Sequence, residues 1–275
     1  MWQRIKTAIV LVIIVGVAMF ASSSPMLFLP LLMVGATIAS YEWTKLTPKT
    51  NPAWFMVLVF VITLASVLMS WSHLWWWVLS CGIWLLATRW VMVYPTQEMW
   101  YGKRLFVMGV IILTASMTAM YSLWQVSPWW LMYVFLLVWC ADSGAYFVGR
   151  KLGKHKLAPH VSPNKSIEGL MGGVMTASLV AIGVGFGLKL DTVAFIAFLG
   201  LSGLTVLASV LGDLFESMLK RRADIKDSGT ILPGHGGVLD RIDSLLSATP
   251  VFAFGVWVLA YFGVLPTLGE LKGIL

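Results

Sequence analysis

Long, uninterrupted apolar runs dominate the chain. They lie at roughly 5–22, 26–42, 53–71, 74–93, 105–124, 128–149, 169–188, 192–215 and 248–267. An α-helix needs about 20 apolar residues to cross the hydrocarbon core of a bilayer, whereas membrane β-strands alternate in polarity over about ten residues. The pattern therefore predicts an all-α, polytopic membrane protein, a bundle of about nine transmembrane helices.

The composition favours the same class. Of the 275 residues, 59% are hydrophobic and 11% are charged, whereas a soluble domain carries roughly 25% charged residues. The first run resembles a signal peptide, but the residues after it form only a weak cleavage site, so we expect a retained span. Cys81 and Cys140 lie within apolar runs, and we expect no disulfide between them.

Basic residues indicate the orientation of the bundle. With nine spans and a cytoplasmic N-terminus, 17 of the 19 Lys and Arg residues fall on one side, and only Lys189 and Lys272 fall on the other. This asymmetry follows the positive-inside rule and predicts an N-in, C-out topology. Topogenesis and anionic lipid headgroups account for the net charge of +7, so no nucleic-acid partner is needed to explain it.

Charge within the chain is concentrated toward the C-terminus. We divide the protein into an N-terminal part, residues 1–125, with about five spans, and a C-terminal catalytic part, residues 126–275. The second part contains two predicted cytoplasmic loops, 150–168 and 216–247. Nine of the 31 Asp, Glu, Lys and Arg residues fall within 217–244: Lys220, Arg221, Arg222, Asp224, Lys226, Asp227, Asp240, Arg241 and Asp243.

Several carboxylates are predicted to lie at or near bilayer depth. Asp142 and Asp213 come near the ends of spans, and Glu216, Asp240 and Asp243 follow at helical i, i+3 spacings. A charge inside the bilayer costs about 2.5–3.5 kcal/mol on insertion scales, so a cation, a base or water must compensate it. Local ion pairs at a helix start are one explanation. Convergence on one membrane face instead favours a site for a hard cation completed by substrate phosphates.

A glycine-rich turn separates the last two spans. Residues 232–237 read LPGHGG, and their backbone N–H groups could form an anion-binding nest at the start of a helix. An ordinary tight turn is the alternative, although the nearby basic residues favour phosphate binding. We interpret His235 as a ligand or a hydrogen-bonding support more readily than as a general base. In the earlier loop, Lys165 and Ser166 offer a charge and a hydroxyl to phosphate, unless that loop is simply solvated.

Residues 217–243 resemble the signature of the phosphatidate cytidylyltransferases, also called CDP-diacylglycerol synthases. Every specified position of that signature is occupied: Ser217, Lys220, Arg221, Lys226, Asp227, Pro233, His235, Gly236, Gly237, Asp240, Arg241 and Asp243. The segments 142–169 and 212–217 are similar to the family too, with Ser166 in place of the usual Thr. In the N-terminal half, only the length and the number of spans agree.

The resemblance implies that CTP and phosphatidate react at the cytoplasmic face to give CDP-diacylglycerol and pyrophosphate. It also implies magnesium, in a site of two cations, and leaves open whether a monovalent cation joins it. We assign Asp213, Asp240 and Asp243 to metal, with Asp142 and Asp227 as less certain members. The expected phosphate-binding groups are Lys220, Arg221, Lys226, Arg241, Gly236 and Gly237 for CTP, and Lys165 and Ser166 for the lipid.

Other functions compete with this one. A membrane kinase acting on a polyprenol, or a cytidylyltransferase for another lipid phosphate, would also need basic loops and metal carboxylates. A transporter is less favoured, because the sequence has no internal repeat and its polar residues gather on one face. We expect an integral protein of the bacterial inner membrane with membrane lipids as partners; the sequence leaves its oligomeric state, a homodimer included, open.

Overall fold

The chain folds into a bundle of apolar helices. A computed structural model describes residues 2–21, 24–47, 50–95 and 102–266. In these ranges the helices are α1 (Trp2–Phe20), α2 (Pro25–Leu46), α3 (Pro52–Leu68), α4 (His73–Val93), α5 (Lys103–Val126), α6 (Pro128–Leu152), α7 (Ile167–Gly187), α8 (Thr192–Arg222) and α9 (Leu239–Tyr261). By length and composition, seven are able to cross a membrane, while α1 and α3 are shorter apolar helices. The predicted polytopic helical class is confirmed.

Local sequence fixes where several helices begin. α2, α3 and α6 each start with a proline, whose missing N–H costs nothing in the first helical turn. The residues before these prolines are Ser24, Asn51 and Ser127, and each side chain accepts a hydrogen bond from a backbone N–H of the first turn. These caps satisfy amides that would otherwise be unpaired in an apolar environment.

Helix α5 forms the centre of the bundle and packs against α2, α3, α4, α6 and α9. Hydroxyl groups join it to its neighbours: Thr114 lies 3.2 Å from Thr63 of α3, and Ser116 lies 3.1 Å from Thr249 of α9. The pair α6 and α7 approaches through glycine, since a Cβ on Gly173 would lie 2.6 Å from the backbone oxygen of Ala141. Small and hydroxyl-bearing residues at contacts are typical of helices packed in membranes.

The last helices extend beyond their predicted limits. α8 continues to Arg222 instead of ending near residue 215, and α9 begins at Leu239 instead of near 248. The apolar runs stop where polar residues begin, and the prediction stopped with them. The helices continue because ion pairs stabilise their polar ends, for example the pair of Lys220 with Glu216, four residues apart on α8. The predicted loop 216–247 thus contains two helix ends joined by residues 223–238.

A small hairpin, absent from the sequence prediction, occupies the other loop. Strand β1 (Lys156–Ala158) pairs antiparallel with β2 (Ser162–Ser166), between α6 and α7. Near the other end of the chain, Thr7 Oγ1 of α1 donates a hydrogen bond to the backbone oxygen of Pro233, at 3.0 Å. The start of α1 therefore lies on the same side of the bundle as the α8–α9 loop. Which side faces the cytoplasm remains a prediction.

Candidate active site

Carboxylates from three helices meet at one end of the bundle. Asp213 of α8 lies close enough to Asp142 of α6 and to Asp243 of α9 for direct electrostatic interaction with both. Gly212 permits the approach of α8 to α9, because a Cβ at that position would overlap the backbone oxygen of Asp243. The structure thus brings Asp142, Asp213 and Asp243 close together, three of the five residues that the sequence analysis placed in the metal site.

Two lysines pair with this acidic group. Lys165 Nζ, on β2, lies 2.5 Å from Asp213 Oδ2, and Lys220 Nζ lies 2.9 Å from Glu216 Oε2 and 2.7 Å from Asp240 Oδ1. Within the described part of the chain, the cluster contains two lysines and five carboxylates, which are those of Asp142, Asp213, Glu216, Asp240 and Asp243. The formal excess of negative charge calls for further cations.

The pair of Glu216 and Asp243 is a candidate place for such a cation. The two carboxyl groups lie close enough for each to influence the other electrostatically. Glu216 is 3% exposed, and its Oε1 is buried with no hydrogen-bond partner among the described residues. Adjacent carboxylates repel unless a proton or a cation lies between them, and an unpaired buried oxygen is costly.

This donor set suits a hard cation such as Mg²⁺, which prefers oxygen ligands. Within residues 2–21, 24–47, 50–95 and 102–266, no group of three or more His, Cys, Asp or Glu side chains converges tightly enough to hold a metal ion by itself. Magnesium commonly takes only one or two carboxylates and completes its shell with water and substrate phosphates. The residues therefore fit a substrate-completed site better than a closed protein cage.

Asp240, another of the predicted metal ligands, is heavily hydrogen-bonded. Its side chain is 5% exposed and pairs with Lys220. Oδ2 accepts from the backbone N–H of Gly237 at 2.8 Å and from that of Ser228 at 3.0 Å. Both of its oxygens thus tie the α8–α9 loop to the end of α8, a role that its position in the sequence did not reveal.

The glycine turn has a defined geometry. The backbone N–H of His235 donates to the oxygen of Leu232 at 2.9 Å, and Gly234 has a φ of 76°. With Pro233 as the second residue, this is a type II β-turn, which requires positive φ at its third position. Gly236, with a φ of 79°, lies so near Asp240 that a Cβ would come within 2.8 Å of Oδ2.

The side chains predicted to bind phosphate take different places. Arg221, Lys226 and Arg241 are exposed around the α8–α9 loop, as is Asp227, whereas Lys220 is occupied by its two carboxylates. The Nδ1 atom of His235 is buried and has no hydrogen-bond partner within the described chain. The proposed roles of all these residues remain predictions.

Ser166 and its neighbours anchor the hairpin. The Oγ of Ser166 accepts a hydrogen bond from the N–H of Gly169 at 3.1 Å and caps α7. Glu168 accepts from the backbone of Lys154 and lies 2.6 Å from His155 Nδ1. These contacts hold Lys165 beside Asp213.

Glu42, on α2, is a site residue that the sequence analysis missed. It is 0% exposed, and its Oε2 accepts a hydrogen bond from the backbone N–H of Leu239 at 2.7 Å. The hydroxyl of Ser228 lies 3.5 Å from the same oxygen. An available signal was the position of this carboxylate at the end of an apolar run, where ionisable residues are rare and usually functional.

Carboxylates and lysines, several of them partly buried, gather at one end of apolar helices, an arrangement typical of a functional site for charged groups in a membrane protein. The chain belongs to the cytidylyltransferase family, which it matches over residues 2–259. It is 37% identical to a phosphatidate cytidylyltransferase of Haemophilus influenzae, over 92% of this chain and 97% of that protein. A Pseudomonas aeruginosa protein of the same name is 38% identical, over 93% and 96% respectively. With the Bacillus subtilis protein of that name, identity is 48% over 46% of each chain.

Proposed function

We propose that this protein is a phosphatidate cytidylyltransferase, which makes CDP-diacylglycerol and pyrophosphate from CTP and phosphatidate. The observation that carries the proposal is the similarity, along nearly the whole chain, to two proteins of that name. The acidic cluster supports it independently, because joining two polyanions requires a site that concentrates cations. The location of the cluster also fits a lipid substrate, because the phosphate of a membrane lipid lies near the bilayer surface, where these helices end.

The proposed reaction is an in-line displacement at phosphorus. An oxygen of the lipid phosphate forms a bond to the α-phosphorus of CTP, the bond from that phosphorus to the bridging oxygen breaks, and pyrophosphate leaves. A phosphomonoester is largely ionised near pH 7, so the attacking oxygen needs little help from a base. The protein's work is therefore positioning and charge neutralisation, not the supply of a nucleophile.

The carboxylates would hold the cations. We assign Mg²⁺ to Asp213 and Asp243, which lie within electrostatic range of each other, with Asp142 within the same range of Asp213. When bound, magnesium neutralises phosphate charge and stabilises the attacking and leaving oxygens. The unpaired Oε1 of Glu216 adds a further oxygen at the same place. We propose that Asp240 belongs to the site chiefly by fixing the loop through its hydrogen bonds.

Basic side chains would hold the two substrates. Lys165 lies at the edge of the acidic cluster and would hold the lipid phosphate together with the Ser166 hydroxyl. The exposed Arg221 and Arg241 flank the α8–α9 loop and, with Lys226, would bind the phosphates of CTP. Arginine suits this task because its planar fork matches phosphate oxygens in a bidentate arrangement.

We propose that these groups face the cytoplasm of a bacterial inner membrane. The contact of Thr7 with Pro233 supports one part of this, because it puts the start of α1 on the same side as the loop. The positive-inside asymmetry then supports a cytoplasmic location for both. Labelling of single cysteines, placed at Lys226 and at Lys189 in otherwise matched proteins, tests it: only the Lys189 position should react from the outer side of intact cells.

Pyrophosphate release tests the proposed activity. Purified protein in detergent should release pyrophosphate from CTP only when phosphatidate and Mg²⁺ are both supplied. A lipid kinase would instead transfer the terminal phosphate and produce CDP, and a related cytidylyltransferase would prefer another lipid phosphate. CDP formation, or turnover of a polyprenyl phosphate without turnover of phosphatidate, would refute the proposal.

A further inference from the structure

A buried carboxylate of the N-terminal half of the chain contacts the candidate site. Glu42 lies near the end of α2, and its carboxylate meets the start of α9. Its Oε2 accepts from the N–H of Leu239, the first residue of that helix, at 2.7 Å. A negative charge at a helix N-terminus is favourable because it satisfies a free amide and opposes the positive end of the helix dipole.

Two glycines make room for this carboxylate. A Cβ at Gly237 would lie 2.6 Å from the carboxyl carbon of Glu42, and one at Gly229 would lie 2.7 Å from it. Gly229 lies near the middle of the α8–α9 loop and Gly237 near its end, and the hydroxyl of Ser228 lies 3.5 Å from Glu42 Oε2. The loop therefore surrounds Glu42 on several sides. A carboxylate that served only to stabilise α2 would not need these contacts.

We propose that Glu42 is a positioning residue of the active site: it fixes the first turn of α9 and the glycine turn, and so aligns Asp240 and Asp243. Asp240 and Asp243 follow Leu239 within one helical turn, so a shift of Leu239 moves both. Glu42 itself is fully buried, so we expect it to act through the loop and not by touching substrate. The catalytic consequence rests on the proposed function, whereas the structural consequence does not.

The test compares three variants with the natural protein. Glu42→Ala removes the acceptor, Glu42→Gln retains an oxygen at the same reach but loses the charge, and Ser40→Ala is the matched control. Ser40 is equally buried on α2, but its hydroxyl donates to the backbone oxygen of Thr37 on its own helix. Hydrogen exchange of segment 226–240, with segment 103–126 of α5 as the internal reference, reports on the loop without any substrate.

We expect Glu42→Ala to speed amide exchange in segment 226–240 by about tenfold or more, the effect of losing a charge-assisted hydrogen bond. Exchange in α5 should stay unchanged. The kcat for pyrophosphate release should fall by about 100-fold, as expected for a misplaced reacting group, with a much smaller change in KM for CTP. Glu42→Gln should recover a large part of both losses, and Ser40→Ala should behave like the natural protein.

Other outcomes overturn the proposal. If both Glu42 variants match the natural protein in kcat and in amide exchange of segment 226–240, the contact is dispensable. Faster exchange throughout the bundle, α5 included, would make Glu42 a general stabilising residue. If Glu42→Ala does not fold, Glu42→Gln decides the question. An equal increase in amide exchange in segments 226–240 and 103–126 of that variant would contradict a positioning role. Absence of pyrophosphate release by the natural protein would refute the proposed function alone, because the exchange comparison would still decide the role of Glu42.

Discussion

Lys165 and Asp213 form an ion pair that joins the β-hairpin to α8, with Nζ and Oδ2 2.5 Å apart. Both side chains are partly exposed, and Asp213 also interacts with Asp142 and Asp243. A cation of the protein thus occupies the edge of an acidic cluster that we propose to bind metal and phosphate. In the proposed mechanism, Lys165 would turn toward an arriving phosphate and Asp213 would be available to hold a metal ion.

Replacing Lys165 with Met should therefore impair catalysis. We expect kcat/KM for phosphatidate to fall by about tenfold or more, because one charge-assisted phosphate contact is lost. Lys156→Met is the matched control, since Lys156 is exposed on the other strand of the same hairpin. Equal effects of the two substitutions would mean that hairpin charge in general, and not this ion pair, matters.

Asp240 should stabilise the α8–α9 loop. Asp240→Asn removes the charge that holds Lys220 and weakens the acceptor for the Ser228 and Gly237 amides. We expect a loss of about 1–3 kcal/mol in the free energy of unfolding, measured by denaturant titration in detergent, together with faster proteolysis after Lys226. Asp224→Asn should change neither, because Asp224 is exposed and its positive φ of 53° is tolerated by Asn. Unchanged stability of Asp240→Asn would contradict the assigned role.

Close contact between α8 and α9 should depend on Gly212. A methyl group there would overlap the backbone of Asp243, so Gly212→Ala should push the helices apart and reduce pyrophosphate release by about 100-fold. Gly203→Ala on the same helix meets nothing within 4 Å and should stabilise α8 by about 0.5–1 kcal/mol without loss of activity. The two variants need only activity and thermal-unfolding measurements, and full activity of Gly212→Ala would refute the close approach.

The sequence predicted the helices well and their ends poorly. Apolar runs locate the spans because a helix that crosses the bilayer needs an apolar surface. However, α8 and α9 extend into polar segments, where ion pairs that a hydropathy pattern does not reveal stabilise them. The i, i+3 spacing of Asp213 with Glu216 predicted a shared helix face, and the sequence analysis had also placed Asp243, from another helix, in the same predicted site. The partner of Glu42 lies about 200 positions away, at Leu239, and only tertiary folding brings them together.

The most direct test of the account is a magnesium titration of pyrophosphate release by the natural protein, Asp213→Asn and Asp243→Asn. Chelation should abolish the activity of the natural protein, and added Mg²⁺ should restore it. Neither variant should recover natural activity at any magnesium concentration, although both should unfold at temperatures near that of the natural protein, because these carboxylates repel each other without a cation. Full activity of both purified variants, or undiminished natural activity after chelation, would contradict the account.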